Sequence, residues 1–252
     1  MNKIIMVTGA TSGFGRAIAI KFAKNGYDVI ITGRRKERLD ELECLLRNIG
    51  GIRVLAMNFD VRKRYETEEA IKALPDDWNK IDILVNNAGL AVGFGHIDEG
   101  NADDWDRMID TNVKGLLYVT RAVAPVMVAR GSGYIFNISS IAGKEEYEFG
   151  NVYCASKHAV DSLSRSMRID LVKNNIKVTN IAPGMAETEF SLVRFKGDKE
   201  RAGAVYKGIE AMTADDIAEV VFYCASMPPH VCINDLVITP TQQATVMHTN
   251  RK

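Results

Sequence analysis

Short, β-rich apolar runs alternate with longer amphipathic stretches from residue 3 to about residue 240, and this alternation constrains the fold more than any other property of the chain. Strands that apolar cannot leave one face in water. A sheet built from them must be covered on both faces, which parallel strands joined by crossover helices achieve. The runs "KIIMVT" (3–8), "DVIITG" (28–33), "IRVLAMNF" (52–59), "KIDILVNNAG" (80–89), "GYIFNISS" (133–140), "IKVTNIAPG" (176–184) and "DLVITP" (235–240) read as strands. Helical periodicity places a helix over 13–25, with Ile18, Ala19 and Phe22 on one face. A second is expected over 36–50, with Leu39, Leu42, Leu45 and Leu46 together and Gly50 just past its end. Asn101 suits the N-cap of a further helix whose positive end Asp103 and Asp104 favour. Helices are also expected over 112–130, 151–174 and 213–227, the last opened by Thr213 with Asp216 three residues on. No Pro/Gly/Ser-rich linker or internal repeat divides the chain, so one α/β domain over 1–252, a doubly wound parallel sheet flanked by helices on both faces, is expected.

Charge excludes some partners. The 32 basic residues balance 32 acidic ones, which points to neither nucleic acid nor an acidic membrane surface. The cysteines at 44, 154, 224 and 232 form no Cys-x-x-Cys pair and no zinc-spaced His/Cys cluster. Buried, reduced thiols account for them, and no metal is expected. No apolar run approaches the roughly 20 residues that span a bilayer. The opening "MNKIIMVTGA" is too short for a signal peptide, so a cytosolic location is expected.

In sheets of this kind ligands bind beyond the carboxyl ends of the strands, and the unusual residues cluster there. "TGATSGFG" follows the first strand, with glycines at 9, 13 and 15. Such a turn brings backbone close to a pyrophosphate and aims a helix N-terminus at its charge, although a plain glycine-rich βα turn has the same composition. The second strand runs into Gly33, Arg34 and Arg35, without the acid that would bind a ribose 2′-hydroxyl. Guanidinium forks suit a 2′-phosphate, against the alternative of a solvated basic helix start. Asn86 and Asn87 end the fourth strand, where buried amides must find partners, and Gly89 permits close approach. Ser139 and Ser140 end the fifth; a hydroxyl there donates to a substrate or satisfies local backbone. Pro183-Gly184 ends the sixth, with Thr188 beyond, as a turn or a cover over a cofactor.

Tyr153 and Lys157 lie four residues apart, hence on one helix face. A nearby ammonium lowers a phenol's pKa from about 10 toward the range of a general acid or base, so a depressed Tyr153 is expected. The pair alone is also a common surface spacing.

Together, Thr8-Gly9-x-x-x-Gly13-x-Gly15, Asn86-Asn87-Ala88-Gly89, Asn112, Ser140, Tyr153-x-x-x-Lys157 and Pro183-Gly184 resemble the short-chain dehydrogenase/reductase family in order and approximate spacing. Ser140 stands thirteen residues before Tyr153, the family spacing, which selects it over Ser139. The resemblance implies a Rossmann-like fold, an NADP-dependent oxidoreductase and a homotetramer. The last also suits helices such as "VKGLLYVTRAVAPVMVA", more apolar than one buried face requires. It implies that Tyr153 moves the proton, that Lys157 lowers its pKa and binds the nicotinamide ribose, that Ser140 stabilises the substrate oxygen, and that Asn112 holds a water linking Lys157 to solvent. The cofactor would be lined by Gly9, Thr11, Ser12, Gly13, Phe14 (where the family often has Ile), Gly15, Arg34, Arg35, Asp60, Val61, Asn87, Ala88, Gly89, Tyr153, Lys157, Pro183, Gly184, Met185 and Thr188.

"NNAGLA", "DWDRMIDTNVKGLLYVTRAV", "GNVYCASK", "TEFSLVRFKGD" and "PPHVCINDL" carry a closer likeness, to the NADP-dependent 3-hydroxy acid dehydrogenases. It implies oxidation of L-allo-threonine, serine and small 3-hydroxy acids, or reduction of malonic semialdehyde. Such an acid needs a cation, and Arg194, beyond the Pro-Gly turn, is the candidate alongside Ser140 and Tyr153; the alternative is a solvated loop arginine. A general carbonyl or 3-oxoacyl reductase and a noncatalytic NADP-binding scaffold are the rival readings. The tail "TQQATVMHTNRK" carries no motif.

Overall fold

The computed structural model describes residues 2–252. Its strands are β1 (Ile4–Val7), β2 (Asp28–Gly33), β3 (Val54–Asn58), β4 (Ile81–Asn86), β5 (Gly133–Ile138), β6 (Ile176–Pro183) and β7 (Asp235–Ile238). They form one parallel seven-stranded sheet in the order β3-β2-β1-β4-β5-β6-β7. Growth of the sheet reverses between β1 and β4, and the crevice at that switch point is where such sheets bind ligands. The expected strands are all present, and all but β2 end earlier, so that Asn87–Gly89, Ser139, Ser140 and Gly184 lie just beyond the strand ends.

The helices are α1 (Gly13–Lys24), α2 (Lys36–Arg47), α3 (Arg64–Lys72), α4 (Ala102–Ile109), α5 (Leu116–Arg130), α6 (Asn151–Leu171), α7 (Phe190–Arg194), α8 (Lys199–Ala204) and α9 (Ala214–Ser226). Strand alternation divides the core in two. Ile5, Val7, Val29 and Ile31 pack under α1, α2 and α9 against Phe22, Leu39 and Val221. Ile4, Met6, Ile30 and Leu84 face the other way, onto Val119 and Val123 of α5 and Val160 and Met167 of α6. Each such large side chain, fully buried, contributes about 1.5–3 kcal/mol. Asn101 accepts from Asp104 N at 3.0 Å and caps α4, and Thr213 and Asp216 form a reciprocal capping box on α9. Each cap stabilises its helix by about 1 kcal/mol.

Some expectations fail locally. Leu39, Leu42 and Leu46 are buried, but Leu45 is 39% exposed. At about 100° per residue, Leu45 lies about 90° off the middle of the stripe that the other three define. Cys154 and Cys224 are buried and Cys232 half-buried, whereas Cys44 is exposed on the outer side of α2, so burial does not account for all the thiols. The helix expected over 112–130 begins as a π-helical turn, Asp110–Gly115, that continues from α4. α3 was not anticipated because only Thr67 and Ile71 are buried on it, too few to mark a period, and α7 and α8 are shorter than any pattern can show. Among the described residues no helix is long and apolar enough to cross a membrane.

Candidate active site

The turn after β1 is stitched to the turn after β4. Thr8 Oγ1 accepts from the backbone N–H groups of Asn87 and Ala88, each at 3.0 Å, while Asn87 Nδ2 donates to the Thr8 and Gly9 carbonyls at 2.8 and 3.2 Å. Gly9 takes φ 64°, and a Cβ on Gly15 would run into Asn87 Nδ2 and the Gly9 carbonyl, so both positions require glycine. α1 then starts at Gly13 with no acid in its first turn, leaving its positive end uncompensated. Asn86 points away, donating to Thr120 Oγ1 and Asn137 Oδ1 at 2.9 Å, and is structural. Phe14 is partly buried against the core.

Arg34 and Arg35 diverge at the end of β2. Arg34 turns toward Asp60 at 3.6 Å, which also holds Arg62 at 2.6 Å. Burial lowers the Arg34 pKa, Asp60 opposes that, and the Arg62 and Arg107 cations add to the lowering. Val61 is buried against Gly115 of the π turn. Arg35 reaches across to Thr11 Oγ1 and Ser12 Oγ, the latter at 2.7 Å.

Tyr153 and Lys157 project from one turn of α6, both over nine-tenths buried. Lys157 Nζ donates to the Ile138 carbonyl at 2.9 Å and lies 5.9 Å from the Tyr153 ring centroid. Burial lowers its pKa to about 8. Tyr153 does not follow the expected direction. Burial raises its pKa and Tyr147 adds to the rise; Ser140 and the Arg194 cation pull down without reversing it. Desolvating a phenolate in this pocket costs more than those groups return, and Lys157 spends its ammonium on a carbonyl.

The adjacent serines separate as residues leaving a strand end should. Ser139 Oγ is buried and donates to the Lys157 carbonyl at 3.1 Å. Ser140 faces the crevice, accepting from Ala142 N at 3.1 Å with the Pro183 carbonyl 3.4 Å away. The loop it opens is pinned by Lys144, whose ammonium joins Asp161 of α6 and Asp235 of β7 at 2.6 Å each. Asn112 stands in the π turn with its carboxamide committed: Oδ1 accepts from Leu90 N at 2.8 Å, and Nδ2 donates to the Leu90 carbonyl and Ser156 Oγ at 2.8 and 2.9 Å. Its Oδ1 and Lys157 Nζ would each lie 3.3 Å from a Cβ on Gly89, so the two flank that turn.

The stretch from Met185 to Gly208 folds back over these groups. Thr188 lies against Gly13, and Glu189 pairs with Arg35 and Arg38 at 3.0 and 2.6 Å. Met185 N donates to Gln243 Oε1 at 2.8 Å, which gives the C-terminal tail a place in the site. Arg194 is no solvated loop residue. Its guanidinium carbon lies 4.7, 5.2 and 5.6 Å from the ring centroids of Phe94, Tyr147 and Tyr153, and Nε and Nη2 are shielded from water without a hydrogen-bond partner among the described residues. Lys196 closes the same side on Asp104 at 2.7 Å. A cavity of about 200 Å³ opens beside Tyr153, between Phe94, Trp105, Met108 and Phe149.

Phe94, Arg38, Tyr147, Glu189 and Gln243 escaped the sequence reading. Arg38 alone had a local signal, sharing a helix face with Arg35 three residues earlier; the rest join only through long-range contacts.

Relatives match the chain over nearly their whole length. An NADP-dependent 3-hydroxy acid dehydrogenase of Salmonella typhi, YdfG, is 49% identical over 242 residues, covering 96% of each chain. A sulfoacetaldehyde reductase of Chromohalobacter salexigens is 45% identical over 245 residues, covering 97% of this chain and 96% of the other. The solved closed form of a serine dehydrogenase complexed with NADP+ superimposes with a TM-score of 0.91 at 45% identity, covering 99% of this chain and all of that one. Residues 3–198 match the family model for short chain dehydrogenases, and the chain belongs to that family.

Proposed function

We propose that the chain is an NADP-dependent oxidoreductase acting on the CH–OH group of small 3-hydroxy acids, of the L-allo-threonine, serine and 3-hydroxypropionate type, or on the matching semialdehydes. The observation that carries the substrate class is Arg194: a guanidinium with two unpartnered, water-shielded nitrogens, held 5.6 Å from the ring of the tyrosine that would move the proton. Leaving such donors unpaired costs about 1–3 kcal/mol, which a bidentate carboxylate would remove. A sulfonate offers the same pairing, and the relationship to a sulfoacetaldehyde reductase supports it as a second substrate class.

The residues present fit a 2′-phosphorylated dinucleotide. The Gly9–Gly15 turn feeds an acid-free helix N-terminus, and arginines stand after β2 where an acid would select an unphosphorylated ribose. Thr11, Ser12 and Arg35 would hold the phosphate end, Asp60 orienting Arg34 beside it. Asn87, Ala88 and Gly89 would line the middle, and Lys157, Pro183, Gly184, Met185 and Thr188 the nicotinamide end. The bound nicotinamide supplies or accepts the hydride.

In reduction, Arg194 anchors the carboxylate and Ser140 donates to the carbonyl oxygen as negative charge develops there. Tyr153, kept protonated by its burial, gives that oxygen its proton and becomes phenolate. Lys157, with its pKa near 8, stabilises the phenolate and returns a proton from solvent. Asn112 is a positioning residue: its carboxamide fixes Leu90 and Ser156, so any water it holds for the relay would sit on its main-chain carbonyl. Oxidation runs the same transfers backwards and gains with pH as the phenolate becomes accessible.

The whole chain would work as one domain, cytoplasmic and homotetrameric. Exposed Leu117 and Val128 on α5 and Ile169 at the end of α6 support the association. The direct test offers NADP+ or NAD+ with L-serine, L-allo-threonine, 3-hydroxypropionate, 2-hydroxyethanesulfonate and a neutral secondary alcohol, reading reduced nicotinamide. NADP-selective turnover of the acids is expected. Turnover of the neutral alcohol alone, or with NAD+ alone, overturns the substrate or the cofactor assignment.

A further inference from the structure

Serine and 3-hydroxypropionate carry only hydrogen as the remaining substituents of the carbinol carbon, yet a cavity of about 200 Å³ opens beside Tyr153. Val92, Phe94, Trp105, Met108 and Phe149 wall it, and Arg194 does not. A dry cavity of about 150 Å³ with apolar walls is enough to hold a benzene molecule. The polar side chains at its edge already have partners. Asn101 Oδ1 accepts from Asp104 N at 3.0 Å, Asn151 Nδ2 donates to the Gly95 carbonyl at 3.0 Å, and Asp104 holds Lys196 at 2.7 Å. Glu99, also at the edge, is exposed. The space therefore suits hydrocarbon, and its ring walls offer edge-to-face contacts to an aromatic one.

Phe149 stands in this wall against its own conformational preference. Gly150 N donates to the Tyr147 carbonyl at 3.0 Å and closes a turn whose third residue is Phe149, at φ 65°. That position suits glycine or asparagine, and a bulky side chain there is an outlier. The half-buried ring nonetheless lies edge-on to Phe94 at 5.1 Å and to His96 at 4.6 Å, closing the cavity on its outer side. Strain of this kind persists where the surroundings over-determine it, and it gathers at ligand sites.

Resting on the hydroxy-acid reading above, we propose that this cavity receives an aryl group on the carbinol carbon of the substrate, which makes 3-aryl-3-hydroxy acids and the matching 3-oxo acids a further substrate class, and that Phe149 sets the size limit. Arg194 holds the carboxylate, Ser140 and Tyr153 hold the oxygen, and the ring enters between Phe94, Trp105 and Phe149. The chemistry is unchanged: hydride leaves the carbinol carbon for the nicotinamide, the hydroxyl proton passes to the Tyr153 phenolate, and the C–O bond becomes C=O. Burial of the ring strengthens binding without a new hydrogen bond. A second ring overfills the space while Phe149 is in place.

The test measures kcat/KM with NADP+ for 3-hydroxypropionate, 3-hydroxy-3-phenylpropionate and its 4-biphenylyl analogue, the chiral acids as separate enantiomers, with L-serine and 1-phenylethanol alongside. In the wild type the better phenyl enantiomer should exceed 3-hydroxypropionate by about 10- to 100-fold, and the biphenylyl acid should fall about tenfold below the phenyl acid. Phe149→Gly suits the turn, so its Tm should hold, and its biphenylyl-to-phenyl ratio should rise about tenfold. Phe149→Asn also tolerates the turn and should shift the ratio in the same direction. If the phenyl acid is no better than 3-hydroxypropionate while the latter turns over, the aryl subsite is refuted and the hydroxy-acid reading stands. L-Serine outpacing the phenyl acid refutes it too, since the acids at the cavity's edge would then be drawing in an ammonium. A ratio unmoved in both variants removes Phe149 as the size limit. If 1-phenylethanol matches the phenyl acid, the carboxylate reading fails and the proposed class with it.

Discussion

The two ends of α7 treat charge in opposite ways. Just before it, Glu189 is about half exposed and has both oxygens paired with arginines of the β2–α2 region. At its end, Arg194 is packed over three aromatic rings with two nitrogens unpaired. A satisfied charge at the rim holds a conformation at little cost, because water shares the screening. An unsatisfied one in an aromatic enclosure stores a demand for an anion, and the cation–π contacts, worth about 0.5–2 kcal/mol, keep it there meanwhile. The rim end of α7 is therefore held by paired charges and its inner end carries an unpaired cation, within six residues of chain.

The largest blow to this contrast should come from Tyr153→Phe. It leaves both charged ends intact, and kcat should fall by about 10²–10⁴ while calorimetric affinity for NADP+ stays within a few fold. Preserved turnover would move the proton transfer elsewhere. Next, Arg194→Met keeps much of the packing and removes the charge. KM for 3-hydroxy acids should rise about 30- to 100-fold, with neutral alcohols nearly unaffected. An equal rise for both classes would make Arg194 a packing residue like its neighbours.

Lys157 sharpens the comparison with Arg194, since its cation too is shielded from water. Its pKa near 8 lies below that of the unfolded chain, so the unfolded state binds more protons between about pH 8 and 10.5. Stability should rise with pH across that window, and below it the folded protein carries the full cost of charging a buried lysine. Lys157→Met should thus stabilise the ligand-free protein at pH 7 by roughly 1–3 kcal/mol, seen as a higher Tm, with turnover lost. The gain should fade as pH climbs from 8 toward 10.5; a gain independent of pH would assign it to packing instead. The smallest effect is expected at Lys196, whose ion pair with Asp104 is half exposed. Lys196→Ala should raise KM less than about fivefold for acids and alcohols alike, because it loosens a cover and not a contact with substrate.

Sequence legibility followed the range of the interactions. Strand cores, the capping of α4 by Asn101 and the box at Thr213 are set by neighbours within a turn or by a two-residue period, and all were readable. Tyr153 and Lys157 were readable as a pair for the same reason, since one helical turn joins them. The failures were of other kinds. Leu45 was misplaced because a helix face is narrower than a run of leucines suggests. The ionisation of Tyr153 was misjudged because its direction depends on how much water the finished pocket excludes, which no spacing records.

The chain's local chemistry by itself determined a parallel α/β sheet, a phosphate-friendly turn after its first strand, a basic second turn and a phenol–ammonium pair on one helix. Tertiary structure alone decided which charges meet. Glu189 and Arg35 are 154 residues apart, and Arg194 reaches Phe94 and Tyr153 only after β6 delivers the stretch that follows it to the strand ends. Pairing energies and pKa shifts depend on separations of a few ångströms and on solvent exclusion, and both come into being only when the sheet has brought distant turns to one edge.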